Sequence, residues 1–595
     1  MILLQALTYI FPLALAALDC RPDGPVVPRP SGLAGSDVFR AAAASFENTM
    51  ARALSGDIRA GWAVDNTSLS VAVVSVSQES PSKPLWEYHH LADNNKEGTG
   101  NLTKDSQYLI GSVTKVFSDL VLLKSGLGLD SPITQYFPQL GNNSSLIPWG
   151  NVSLRALGSH LSGAPSNYGF SEYYLLKDYF EALGFPSLDD SSFPPCGVAG
   201  LNDACTRDEL LAGMLVSNPT TLTMTRPAYS NIAFSLFILA VEEATGKNYT
   251  QLIRELISEP LGLKNTFPSP GDTQNALVPP VENSWGSDYG INAPGGGLVS
   301  SLSDLSALAH GILSRSIISP TKTRQWLKPH SFAGSPYSFV GLPWEIYRPP
   351  NLVPEHPHTV TIYAKSGGAY GYRSQLAILD EYGIAFVVLS AGDMTAVPYI
   401  YDAVLATFVP AVDTVARQQA ENLTGTFTSH PGSEDNGPCL NVTITQDADS
   451  LVLSSVSRNG SDMLSALAQI WNLTVGSQLT PISPIFRIFP TEDTVQGSMN
   501  GVPVVRESWR LWLSPVYGNG SDLPGKGLGS HDCISWTLND WIHYGTEPVD
   551  RLVFVRDSRT MELLGVELPF LRSGLLGMDE PRGQSGRVGC RLHHG

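Results

Sequence analysis

The strand-like segments of this chain lie far apart in sequence. LSVAVVSVS, Leu69 to Ser77, alternates as a strand does, and PLWEYHHLA after it reads as a pairing partner. The next comparable runs are HTVTIYAKSGG, GYRSQLAIL and GIAFVVLSAG, the last two joined by Asp380-Glu381-Tyr382-Gly383 as a hairpin turn. Between these sets the pattern is mostly helical with long loops, to about Arg315. A helix over Asp37 to Leu54 precedes the first strand, and PYIYDAVLATFVPAVDTVARQQ closes the region as another. Strands at both ends with helices between imply one α/β domain, from residue 37 to residue 419.

After Glu421 the character changes. ENLTGTFTS, LNVTITQ, SLVLSSV, PIFRIFP, SWRLWLSP, DRLVFVR and MELLGVELPF are short strands separated by turn residues. They predict a β-rich second domain over 420–577, a small barrel or a sandwich. Residues 578–595 are rich in glycine and arginine and read as a loose tail. At the other end, MILLQALTYIFPLALAALDC resembles a cleaved signal peptide over 1–17, without the usual early lysine or arginine. Its length and Pro12 argue against a membrane anchor. A Pro-rich leader, 18–36, follows.

Secretion accounts for two further features. N-x-Ser/Thr sequons stand at Asn66, Asn101, Asn142, Asn143, Asn151, Asn248, Asn422, Asn441, Asn459, Asn472 and Asn519. They predict an N-glycosylated extracellular protein. Six cysteines allow 15 pairings. The proposed pairs are Cys196–Cys205 across a short loop and Cys439–Cys533 in the second domain, with Cys20–Cys590 as the remainder. A net charge of −18 argues against nucleic acid and anionic membranes as partners. The expected partner is a small-molecule or peptide substrate.

The chemistry-bearing stretch is YLIGSVTKVF, Tyr108 to Phe117. An apolar strand end meets Gly111, which lets the backbone turn into a helix. Ser112 and Lys115 stand three apart, so they share a helix face. One reading is an N-cap serine with a solvated lysine; the other is a nucleophile with its base. Ser80-Pro-Ser-Lys83 and Ser319-Pro-Thr-Lys322 have the same spacing, but their prolines make them read as turns. A lysine acts as a base only when burial or a second cation lowers its pKa. Two other motifs supply what such a site needs. Tyr229-Ser230-Asn231 enters an apolar helix and brings a hydroxyl and an amide. Lys365-Ser366-Gly367-Gly368, on a strand, brings a second cation and backbone N–H groups. Tyr517-Gly-Asn519 and Lys124-Ser125-Gly126 match these patterns but sit at a sequon and a helix end.

In this order and in these frames, the three motifs resemble the serine β-lactamase and penicillin-binding-protein superfamily. The likeness is to its class C-like group, which includes esterases and D-stereospecific peptidases, and to secreted fungal β-lactamase-like proteins with an added C-terminal domain. It runs from about Ser68 to Ala416. Besides the motif segments it includes GLGLDSPITQYFPQL, VSLRALGSHLSGAP, EPLGLKNTF and PGGGLVSSLSDLSAL. The resemblance implies an α/β (α+β) β-lactamase/transpeptidase-like domain, with an antiparallel sheet flanked by helices. It implies Ser112 as acyl-accepting nucleophile, Lys115 as general base, shared with Tyr229, and Asn231 on a substrate amide or carbonyl. It gives Lys365 a substrate carboxylate or a role in raising the local potential. Ser366 stands at the substrate-binding position commonly held by threonine. Gly368 replaces a frequent serine and, with Ser112, gives backbone N–H groups to an oxyanion.

These assignments imply a serine hydrolase acting on an ester, amide or lactam, with no metal and no cofactor. An acyltransferase on the same fold and a non-catalytic binding protein are the alternatives. No Gly-x-Ser-x-Gly elbow occurs. His89-His90 and His356-Pro-His358 lack the further ligands of a metal site, Gly295-Gly296-Gly297 follows a proline rather than a strand, and His160 reads as a structural hydrogen-bonder. The long segment between Ser112 and Tyr229, with its cysteine loop, is placed to reshape or cover the cleft.

Overall fold

The structure, a computed structural model, describes residues 21–142, 145–429, 438–477, 482–515 and 535–579, together with Asp522, Pro524, Lys526 and Cys533. It comprises two compact units. One is Ser31–Asp413; the other holds the chain from Thr414 onward, together with the segment that ends at Pro30. The division thus falls six residues before the expected boundary, inside a helix that runs unbroken over Ala396–Ala420. The expected leader is not a separate piece, because Val26 and Val27 bury themselves in the core of the second unit.

The first unit is built on one eight-stranded antiparallel sheet. Its strands are β1 (Ser68–Ser75), β2 (Trp86–His90), β3 (Ser331–Phe332), β4 (Ser338–Val340), β5 (Glu345–Tyr347), β6 (Ile362–Ala369), β7 (Tyr372–Leu379) and β8 (Ile384–Ala391). The order is β2-β1-β8-β7-β6-β5-β4-β3. The early strands therefore pair with the late ones, Ser68 opposite Ala391 and Ser75 opposite Ile384. Both β1 and β8 are buried along their whole length. A strand covered on both faces has no polar side to show, which is why β8 reads as a nearly continuous apolar run and why the serines of β1 are buried as well.

Helices supply the cover. Helix α1 (Asp37–Leu54) is capped by Ser36, whose hydroxyl accepts from the N–H of Phe39. Its buried residues, Phe39, Ala43, Phe46 and Met50, recur at helical spacing. Phe39 and Phe46 both pack on Phe408, at ring separations of 5.6 and 5.8 Å. Helices α2 (Thr114–Lys124), α3 (Ile232–Thr245) and α4 (Leu302–Leu313) are buried over most of their surface and form the deep core. Phe117, Leu120, Phe234 and Phe237 are fully buried there.

Ser319-Pro-Thr-Lys322 is not a turn, as its proline suggested. Ser319 caps a helix, Pro320–Trp326, and Pro320 takes the first position, where a missing N–H costs nothing. Cys196 and Cys205 form a disulfide, and Cys439 and Cys533 are each disulfide-bonded. Cys20 and Cys590 lie outside the described residues.

The second unit is β-rich, as its sequence implied. Among the described residues its main sheet has nine strands, all antiparallel, running in sequence from Gly425–Thr428 to Gly577–Met578. The last strand lies beside the first, and Leu576 bridges to Val566 at the opposite end of the sheet. The sheet is thus a nearly closed barrel, filled by Phe427, Trp471, Trp509 and Phe554.

Phe117 has no solvent exposure and sits two residues past Lys115. Phe117→Ala should lower the stability of the first unit by about 3–5 kcal/mol, read as a drop in its urea midpoint. A change below about 1 kcal/mol would mean that this helix does not anchor the core.

Candidate active site

The turn at Gly111 is set by backbone geometry. Gly111 has φ +48°, and a Cβ there would stand 2.5 Å from the nitrogen of Gly368. Only glycine permits both the left-handed conformation and the contact. Gly367 answers it from β6: a Cβ there would reach 2.1 Å from the carbonyl oxygen of Ile110 and 3.0 Å from the nitrogen of Ser112. The Ser374 hydroxyl of β7 donates to that same carbonyl at 2.6 Å. Ser112 follows, half-buried at the start of the helical segment. Thr114 then fixes α2 by accepting from the N–H of Leu298 at 3.1 Å.

Lys115 lies directly behind Ser112. It is fully buried, and its Nζ donates to Asn231 Oδ1 at 2.6 Å and to the carbonyl of Gly295. Its third neighbour is Ser112 Oγ at 3.1 Å. A neutral amine has two N–H groups and one lone pair, which fits this set: two carbonyl-type acceptors and one hydroxyl able to donate. Burial holds the pKa of Lys115 well below the usual lysine range, and the nearby Lys365 cation adds to the effect. Asp119, one turn further along α2, is no counterion. It too is buried, and neither oxygen has a hydrogen-bond partner among the described residues. Burial pushes its carboxyl well above the usual range.

Asn231 is held from its other end as well. Its Nδ2 donates to Asn167 Oδ1 at 2.7 Å, and its backbone N–H to the carbonyl of Ser166. Lys115 donates to Asn231 while Asn167 accepts from it, so the oxygen of Asn231 faces the lysine and its NH2 faces Asn167. Asn167 opens the long segment that contains the Cys196–Cys205 loop. That segment leaves Phe170, Tyr173, Leu175, Tyr179 and Phe185 exposed.

Tyr229 stands at the mouth, 41% exposed. Its ring stacks on His160, with centroids 4.3 Å apart, and the Lys115 ammonium position lies 4.8 Å from the ring centre. His160 is buried, and its Nδ1 accepts from the N–H of Ser230 at 3.2 Å. Burial, then the two lysines, hold it well below the usual histidine range. It is therefore a neutral platform for the tyrosine.

The β6 motif completes the group. Lys365 is buried, lies 5.2 Å from the centre of the Tyr229 ring, and donates to the carbonyl of Ser366 at 2.9 Å and to the carboxylate of Glu345. Burial alone would lower its pKa, but Glu345 and Tyr229 more than offset that and hold it above the usual value. Strand β5 pairs with β6 only over Ile362 to Ala364. Beyond Ala364 that edge is open. The N–H of Ser366 points there, to Glu345 Oε2 at 3.0 Å, and its hydroxyl donates to the same oxygen at 2.9 Å. N–H groups two residues apart point the same way along a strand, so that of Gly368 faces the opening beside Ser112.

The seven residues singled out in the sequence thus lie in one cluster: Ser112, Lys115, Tyr229, Asn231, Lys365, Ser366 and Gly368. Four further participants escaped the sequence motifs: Glu345, Asn167, the Gly295 carbonyl and His160 as a stacking partner. Glu345 had one signal, a lone carboxylate in the apolar run LPWEIY. His358 bonds Tyr382 at 3.0 Å. Among the described residues no cluster of three His, Cys, Asp or Glu side chains is placed to hold a metal.

Comparison with known proteins agrees with this architecture. Residues 71–409 match the beta-lactamase family, and residues 415–579 match a C-terminal domain described as beta-lactamase-like. The beta-lactamase-like protein of Arthroderma benhamiae is 44% identical over 577 residues, covering 95% of this chain and 97% of that one. The probable hydrolase M10 of a Phoma species is 26% identical, covering 85% and 84%. Among solved structures, a beta-lactamase/D-alanine carboxypeptidase from Yersinia pestis is 20% identical, with a TM-score of 0.44, over 58% of this chain and 94% of that one. The chain belongs to the beta-lactamase family, a family of serine hydrolases by and large, and carries that family's fold with a second, barrel-like unit.

Proposed function

We propose that the protein is a secreted serine hydrolase that works through an acyl-enzyme on Ser112, on an ester, amide or lactam. The observation that carries this is the hydrogen bond between the Ser112 hydroxyl and a buried lysine with no carboxylate partner. In this reading the Lys115 lone pair takes the Ser112 proton as Oγ attacks the carbonyl carbon. The oxyanion forms between the N–H groups of Ser112 and Gly368. Lys115 then returns that proton through the Tyr229 hydroxyl to the leaving group, which restores its free amine. Water then takes the place of the leaving group, and the same base activates it. Asn231 holds Lys115 from the side, and its remaining N–H is available to a substrate carbonyl.

Secretion and glycosylation belong to the same proposal. The Cys196–Cys205 disulfide is compatible with an oxidising compartment. Asn101, Asn142, Asn151, Asn248, Asn422 and Asn472 are exposed, as acceptors must be. Asn143 and Asn519 lie outside the described residues. Recovery of the chain from culture medium, with a mobility shift on enzymatic deglycosylation, is the expected result. The absence of both in a secreting fungal host would remove this part of the proposal.

The nucleophile is tested with a fluorophosphonate probe. Label should map to the peptide holding Ser112 and be lost in Ser112→Ala, with hydrolysis reduced at least about a thousandfold. Turnover undiminished in Ser112→Ala would sink the reading.

The base is tested by pH. Lys115 acts unprotonated, so kcat/KM should fall as pH drops through its lowered pKa. Lys365→Gln removes one of the causes of that lowering and leaves Glu345 to act in the opposite direction. The acid limb of the profile should therefore move to higher pH. A limb that stays put, or moves down, would show that Lys115 is not the titrating group.

A further inference from the structure

The subsite that faces Lys365 and Ser366 already contains a carboxylate. Glu345 is the first residue of β5, opposite Ala364, the last residue of β6 that this strand pairs. Its side chain turns along the open edge and takes up the donors found there. Oε1 accepts from Lys365 Nζ; Oε2 accepts from both the N–H and the hydroxyl of Ser366. An ammonium has three N–H groups. Two of those of Lys365 go to Glu345 and to the Ser366 carbonyl. With the Ser366 N–H and hydroxyl also on Glu345, the donors of this edge are largely taken before any anionic substrate arrives. The charges of Lys365 and Glu345 also cancel, so this edge offers no net positive potential.

We infer that Glu345 is a specificity-determining residue that occupies a substrate-carboxylate position with the protein's own carboxylate, so that the enzyme favours substrates with no carboxylate next to the scissile bond. This deepens the proposed hydrolase reading and rests on it. Such a substrate is a neutral ester, lactone or amide. One with an anionic leaving group has to displace Glu345 or approach it, and like charges at close range in a partly buried site repel strongly. The only step altered is docking; bond making at Ser112 is unchanged. Strand β6 retains the two features a neutral substrate needs, the Gly368 N–H and an open edge beyond Ala364.

A matched pair of substrates tests this on the full chain: acyl esters of 3-hydroxybenzoate and of methyl 3-hydroxybenzoate, which differ only in the leaving group's carboxylate. Wild type should prefer the methyl ester in kcat/KM by about tenfold or more. In Glu345→Gln, which keeps shape and removes charge, that preference should shrink by a similar factor or reverse. Glu345→Asp, which keeps the charge, should retain it. Wild-type preference for the free acid overturns the inference, as does a ratio that Glu345→Gln leaves unmoved. Loss of the preference in Glu345→Asp to the same extent as in Glu345→Gln also overturns it, because charge would then not be the cause. Fluorophosphonate labelling of Ser112, run beside each variant, separates the two levels. An unmoved ratio with labelling intact defeats the Glu345 assignment alone, whereas full turnover in Ser112→Ala defeats the hydrolase reading beneath it.

Discussion

The approach of two backbones, Gly111-Ser112 against Gly367-Gly368, is the constraint on which the site depends. Sequence positions more than 250 residues apart have to meet with no side chain between them. The two glycines remove the Cβ atoms that would collide at 2.5 and 2.1 Å. The Ser374 hydroxyl then ties Ile110 to the sheet, and Thr114 ties α2 to Leu298. A nucleophile on a helix and an N–H donor on a strand thereby share one small space. A loose meeting would not serve, because a donor misplaced by an ångström loses much of its effect on a developing charge.

Two buried lysines share this space, and the placement of carboxylates gives them opposite roles. Glu345 neutralises Lys365 by direct contact, so Lys365 remains a cation. Asp119 makes no ion pair with Lys115, and burial pushes its carboxyl well above the usual range. Lys115 is therefore left among carbonyl acceptors, facing a cation, and is favoured as the free amine. Exchanging the two arrangements would leave a permanent ammonium beside Ser112, unable to take a proton. One lysine becomes a base and the other a fixed charge because of what surrounds them, since the side chains are chemically identical.

The sequence showed the sheet and the three motifs clearly. Strand β8 announces itself by an even apolar run and β1 by its alternation, and Ser112, Tyr229 and Lys365 each sit at a change of pattern. The contacts that decide specificity were not legible in the same way. Glu345 lies 20 residues from Lys365, across an irregular stretch, and its part depends on β5 starting only opposite Ala364, which leaves the rest of β6 unpaired on that side. Asn167 is one amide in a long loop. The Gly295 carbonyl is a backbone atom and has no residue identity to read. The misreading of Ser319-Pro320 has a similar source, because proline disfavours a helix behind it but not one it begins. Val26 and Val27, only two apolar residues among prolines, show no period that would announce a place in a core.

The second unit illustrates a different limit. Its strands were legible because each is short and bounded by turn residues, yet barrel and sandwich share that pattern. What separates them is how the outermost strands meet. Here Gly577–Met578 pairs with Phe427–Thr428, and Leu576 bridges Val566, so the path returns on itself. Closing a sheet in this way removes the exposed edges that would otherwise template association with other chains. That closure rests on a glycine: Gly565, at φ +155°, lies so near the Leu576 carbonyl that a Cβ would come within 2.1 Å of it. In both units, then, a close tertiary approach of two backbone segments is permitted by a residue with no side chain. Such approaches are what a one-dimensional pattern of apolar and polar residues carries least well.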